Sequence, residues 1–130
     1  MSYQLLKDLY DNIIGNTNIS AMVAPTNVKV GWQNEIAAYP CITIMQAGGN
    51  SVGMLGFNRT VSGQIKENFG VQLDIYSRTS IKENYDILEV LINTMISSGY
   101  EKLSDVDFWD DDLNANRKMT RWNKIDIYKK

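Results

Sequence analysis

The chain has 130 residues, 44% of them hydrophobic and 22% charged, with two prolines and no repetitive tract; that is the composition of one folded domain and excludes a disordered or collagen-like polymer. Thirteen basic against fifteen acidic side chains leave a net charge of -2, too acidic for generic binding along a nucleic-acid backbone. The lack of histidine removes the commonest general base and the commonest metal ligand together.

Leu5, Leu9 and Ile13 recur at fourfold spacing beside Leu6, Tyr10 and Ile14, which predicts an amphipathic first helix. Ser2 is placed to cap its start and Gly15-Asn16 to leave its end through a positive φ. Lys7, Asp8 and Asp11 break the apolar pattern of this segment, so it does not read as a signal peptide. Residues 17–27 read as a loop. Val28, Val30 and Trp32 then alternate with Lys29, Gly31 and Gln33, the period of a strand with one buried face. Past a polar turn at Asn34 and Glu35, Pro40 opens a β-branched run over 41–46, and proline is tolerated at a strand's first residue. Cys41 lies in this run as the only cysteine. With no disulfide partner, no zinc cluster and no histidine beside it, it reads as a buried structural thiol.

Residues 47–59 combine four glycines with Met54, Leu55 and Phe57, ending at Arg59. Glycines weaken any regular element, yet a merely solvated loop has no reason to expose three large apolar side chains together. Two readings follow: a long hairpin loop whose tip folds back on its own core, or a projecting arm whose tip docks on another chain. Val61, Gly63 and Ile65 alternate next, and Phe69, Val71, Leu73 and Ile75 alternate with Gly70, Gln72, Asp74 and Tyr76 in the clearest strand of the chain. Ser80 followed by Glu83 forms a capping box. Ile81, Tyr85, Leu88, Ile92, Met95 and Ile96 then trace one helix face that Gly99 closes, its Tyr and Met side chains expected in the core. Leu103, Val106 and Phe108 indicate a short strand, and residues 110–116 a turn. Over 117–128, Trp122, Ile125 and Ile127 slip out of simple alternation, as a bulge or two covered faces would produce.

The order of elements predicts a single α+β domain over 1–130, a mostly antiparallel sheet with two helices packed on one face and a long projecting hairpin loop. No uncharged apolar run approaches the roughly 18 residues a membrane-spanning helix requires, so a soluble protein is expected, and the lone cysteine fits an intracellular site of synthesis.

Glu101, Asp105, Asp107, Asp110, Asp111 and Asp112 fall within twelve residues, opposed there by Lys102. An EF-hand loop needs glycine at its sixth position, where counting from Asp105 gives Asp110; the stretch reads instead as a solvated turn or interface, with no metal and no cofactor expected. Arg117, Lys118, Arg121, Lys124, Lys129 and Lys130 follow with the opposite sign. Either the two segments pair across a hairpin within one subunit, or an acidic edge meets the basic edge of the next subunit in a ring. No Gly-x-Ser-x-Gly elbow, Ser-x-x-Lys pair or phosphate loop nominates an enzyme.

An initial helix, Tyr39-Pro40-Cys41-Ile42-Thr43-Ile44 opening a strand, Phe69 to Tyr76 followed by Ser77-Arg78-Thr79-Ser80, a long helix to Gly99 and a closing segment from Arg117 to Ile127 together resemble the tail terminator (tail completion) proteins of long-tailed bacteriophages. The resemblance implies a structural virion protein without catalysis: a homo-hexameric ring that caps the tail-tube protein, ends tail polymerisation and forms the joint to the head-side connector. Such a ring agrees with the residue-level readings above: Met54, Leu55, Phe57 and Arg59 as a projecting arm contacting a neighbouring subunit or the tube, and Arg117, Lys118, Arg121 and Lys124 as basic groups between subunits. Asp110, Asp111 and Asp112 would line a channel through which DNA slides, since carboxylates repel phosphates. Other neck or head-closure components and a small ligand-binding regulatory domain are the alternatives.

Overall fold

The fourfold apolar repeat at the N-terminus folds as helix α1 (Ser2–Ile14), which buries Leu9 and Ile13 completely. The computed structural model describes residues 2–31, 36, 38–47 and 64–129, with the backbone alone for 2, 64–68 and 125–129. The expected strand end at Trp32, the turn at Asn34 and Glu35, and the glycine-rich arm with Met54, Leu55, Phe57 and Arg59 lie outside the described residues. Gly15 does not leave α1 through a positive φ, which among the described glycines is found at Gly31 and Gly99. Instead Asn16, at φ -85°, accepts from the N–H groups of Asn18 and Ile19 and caps a second helix, α2 (Thr17–Ser20). The stretch read as a loop thus supplies Ile19 and Val23 to the core. A 3-10 turn at Pro25–Asn27 then leads into β1 (Val28–Val30).

β2 (Cys41–Gln46) lies parallel to β1, with Val28 opposite Ile42. β3 (Gln64–Ser77) runs antiparallel to β2, and helix α3 (Ile81–Ser97) leads on to the hairpin of β4 (Glu101–Asp110) and β5 (Ala115–Lys129). Among the described residues the sheet order is β1-β2-β3-β5-β4, five strands with one parallel pair at the edge. β3 and β5 pair along their whole length, from Gln64 opposite Lys129 to Ser77 opposite Asn116. Among the described residues β2 reaches only to Val71 and β4 only to Asn123, so there the outer part of β3 and β5 pairs as a two-stranded ribbon. The change of phase expected in the last strand resolves into a register shift between Lys102 and Ser104 of β4, which places the extra residue at Leu103.

Ile42, Ile44, Phe69, Val71, Leu73, Ile75 and Trp122 meet Leu9, Ile13, Ile87, Leu88, Leu91 and Met95 in one core, so the helices share one face of the sheet. This is the mixed α+β, single-domain architecture the element order predicts. Helix α3 starts with the Ser80 hydroxyl accepting from the Glu83 N–H at 3.2 Å, but the Glu83 carboxylate takes its proton donor from the Ser77 hydroxyl, so only half of the capping box forms. Its end is a Schellman motif: Gly99 sits at φ +92° while Gly99 N–H reaches Ile96 O and Tyr100 N–H reaches Met95 O, each at 3.0 Å. The buried stripe of α3 is Asn84, Ile87, Leu88, Leu91, Thr94 and Met95, rotated from the expected face. Ile81, Tyr85 and Ile96 are instead 50%, 50% and 62% exposed. Each polar member of the stripe makes one bond to another element: Asn84 Nδ2 donates to Asn116 O and Asn16 Nδ2 donates to Thr94 Oγ1, both at 3.1 Å, while the buried Asn84 Oδ1 has no partner among the described residues.

Candidate functional site

Alternation along β3 leads one to expect a solvated face opposite the core, but Gln72, Asp74 and Tyr76 on that face are buried, Asp74 fully. Asp74 is the hub. Gln72 Nε2 donates to both of its oxygens at 3.1 and 3.2 Å, the Tyr76 hydroxyl donates at 3.4 Å, and Arg117 donates from Nε at 3.0 Å and from a terminal nitrogen. Arg117 stands opposite Tyr76 in the β3–β5 register, which is why its side chain reaches this face. Its other terminal nitrogen donates to Asp110 Oδ2 at 3.2 Å, and its guanidinium lies 5.3 Å from the Tyr76 ring and 5.1 Å from the Phe108 ring. Burial lifts the Asp74 carboxyl above its ordinary range, against the opposing pull of Arg117 and of the Gln72 and Tyr76 bonds. Burial also opposes the Arg117 charge, yet Asp74 prevails and holds the guanidinium protonated. On the same face burial pushes the Cys41 thiol up to about 11, and burial with the Asp74 charge pushes the Tyr76 hydroxyl up to about 12.

The second cation of the basic segment is buried on the helix side. Lys118 is opposite Asp107 across the β4–β5 hairpin and completely buried, with Nζ 3.1 Å from Asp107 Oδ1 and 3.6 Å from Asp105 Oδ1. The same ammonium lies 3.8 Å from the centre of the Tyr85 ring of α3. Asp105 also accepts from Lys102, and that bond foremost holds its carboxyl below the usual range. Asp105, Asp107 and Asp110 therefore belong to an ordered strand rather than to a flexible turn, and the hairpin pairing of acidic with basic segment is made inside one subunit. Among the described residues no three His, Cys, Asp or Glu side chains converge on a metal position.

Of the residues singled out in the sequence, Arg117, Lys118 and Asp110 are engaged within the chain. Asp111 and Asp112 are exposed at the hairpin tip, Arg121 is exposed on β5, and Lys124 is half-buried 5.5 Å from the Tyr100 ring. The tip is tied down from β2 and β3: Asp110 Oδ1 accepts from Leu113 N–H at 3.0 Å, while Arg78 donates to Leu113 O at 2.9 Å and stacks 4.4 Å from the Tyr39 ring. The Tyr39-Pro40 strand start thereby braces the acidic hairpin. Sequence reasoning missed the exposed apolar group formed by Ile81 and Trp109, which line one cleft with Asn84, Asp107 and Asn116. The signal was present as a tryptophan inside an acidic stretch.

Among the described residues, a five-stranded sheet with one parallel edge pair, helices on one face and a long β3–β5 pairing defines the class as a small α+β domain. No protein-family model and no curated protein matches the sequence. Among solved structures the fold is shared with a chain of the virion of a native gene transfer agent (GTA) particle, at a TM-score of 0.68 over 90% of this chain and 90% of that one, with 6% identity. At that identity the likeness is one of fold.

Proposed function

We propose that this chain is a structural virion protein that acts without catalysis: a ring of identical copies that caps the tail tube, ends its polymerisation and joins it to the head-side connector. The observation that carries the reading is the fold shared with a component of a GTA virion over nine-tenths of both chains. The tail-terminator resemblance of Tyr39-Pro40 and of the Phe69–Ser80 segment points the same way, and both segments meet at the braced hairpin. In this reading Met54, Leu55, Phe57 and Arg59 contact the tube or a neighbour. Arg121 and Lys124 remain as the basic groups for contacts between subunits, because Arg117 and Lys118 are neutralised inside their own chain. Asp111 and Asp112 line the channel, where exposed carboxylates keep DNA from adhering.

The test is a virus or particle-producing strain lacking the gene, followed by electron microscopy. Tails of irregular length that fail to join heads are the expected result; full-length tails on normal heads contradict the assignment. Tails of correct length that lack heads would move the chain from the tube end to another neck position.

A further inference from the structure

Between the first turn of α3 and the β4–β5 hairpin lies a cleft of about 150 Å³, lined by Ile81, Phe108 and Trp109 together with Asn84, Asp107, Asn116 and Arg117. Its charged members are already engaged: Asp107 accepts from Lys118, and Arg117 is held by Asp74 and Asp110. Its apolar members are open, Ile81 at 50%, Phe108 at 39% and Trp109 at 51% exposure. One polar need is left. Asn84 is 1% exposed and uses its Nδ2 on Asn116 O, while its Oδ1 has no partner among the described residues. An amide oxygen can only accept, and left unpaired in the interior it carries the full cost of its desolvation. Solvent does not relieve that cost, because the oxygen has almost no accessible surface.

We propose that the cleft receives one aromatic side chain of a partner protein, a tryptophan or a tyrosine, its ring held by Ile81 and Trp109 and its N–H or O–H donating to Asn84 Oδ1. The volume selects a single side chain over a free small molecule, whose pockets run roughly 300–1,000 Å³. The paired charges select a neutral group over an ion. The open acceptor selects a ring with a donor over phenylalanine. Ile81 and Trp109 are half-exposed, and side chains so placed change rotamer readily; the apolar contacts of the entering ring offset the cost of parting them to reach the oxygen. Aromatic anchors in small desolvated pockets are where binding energy between proteins concentrates. The site stands whichever position the chain takes in a particle.

The experiment titrates the isotope-labelled full-length chain with N-acetyl-tryptophanamide and N-acetyl-tyrosinamide, read by NMR at the Asn84 side-chain amide and the Trp109 indole. Both signals should shift saturably. Analogues methylated on the indole nitrogen or the phenol oxygen carry no ring donor and should bind about tenfold more weakly or worse. Trp109→Ala, at a half-exposed position, should keep the wild-type melting transition and lose the Asn84 shift. Equal binding of the methylated and unmethylated forms would reduce the cleft to an apolar surface and overturn the role of Asn84. Shifts with free indole but with neither blocked amino acid would overturn the protein partner, and the lack of any saturable shift would overturn the site.

Discussion

The two faces of β3 are buried by different means. Toward the helices, Phe69, Val71, Leu73 and Ile75 pack into an apolar core that would tolerate most hydrophobic side chains of similar volume. On the other face, Gln72, Asp74 and Tyr76 are buried with Arg117 across the strand and Asp110 beyond it, and each polar group depends on a particular partner. The lesson is that burial of one face follows from composition, whereas burial of the other follows from register: a one-residue slip between β3 and β5 would leave Asp74 without Arg117. A charge network of this type contributes specificity of pairing more than net stability.

That comparison can be broken most sharply at Arg117. Replacement by Ala strands Asp74 in the interior and should cost about 3–5 kcal/mol in urea unfolding; a loss under 1 kcal/mol would mean the network is not a unit. Changing both partners, Asp74→Leu with Arg117→Met, should recover most of that loss, since two apolar groups need no partner. On the apolar face Leu73→Ala should cost about 2–5 kcal/mol from lost contact and a residual cavity, and Leu73→Met under about 1.5 kcal/mol, a tolerance the polar face should not share. Smaller still is Ser80→Ala, expected to cost about 1 kcal/mol by removing the cap of α3.

The smallest effect at neutral pH is Tyr76→Phe, which sharpens the comparison in alkali. The Cys41 and Tyr76 protons are held in the folded state, from ordinary values of 9.0 and 10.0 up to about 11 and about 12. Their contribution is complete below those ordinary values and is lost as pH rises through the folded ones. Melting temperature should therefore fall across pH 9 to 12, and the Phe variant should fall less steeply over the upper part of that range. Equal slopes for the two proteins would contradict the burial of Tyr76.

Much of the fold was legible because its signals are local. The fourfold repeat of α1, the alternation of 69–76, the Ser80 cap and the Gly99 stop all depend on neighbours in sequence. What was not legible depended on distant partners. Asp74 reads as a solvated strand residue until Arg117 is brought opposite its neighbour Tyr76, forty-one positions from Arg117 along the chain. Ile81 and Tyr85 share the apolar period of α3, yet they are exposed because the stripe is turned toward Asn84 and Thr94, whose partners Asn116 and Asn16 lie on other elements. Asp110 belonged, on sequence, with Asp111 and Asp112; register alone separates the one that holds Arg117 from the two at the tip.

The most direct test of the central claim adds the purified chain to tail tubes while they are growing from the tube protein of the same virus. The account predicts that elongation stops at substoichiometric amounts of chain, with a density visible at one end of each tube. Tubes that continue to lengthen at the same rate, with their ends bare, would contradict it.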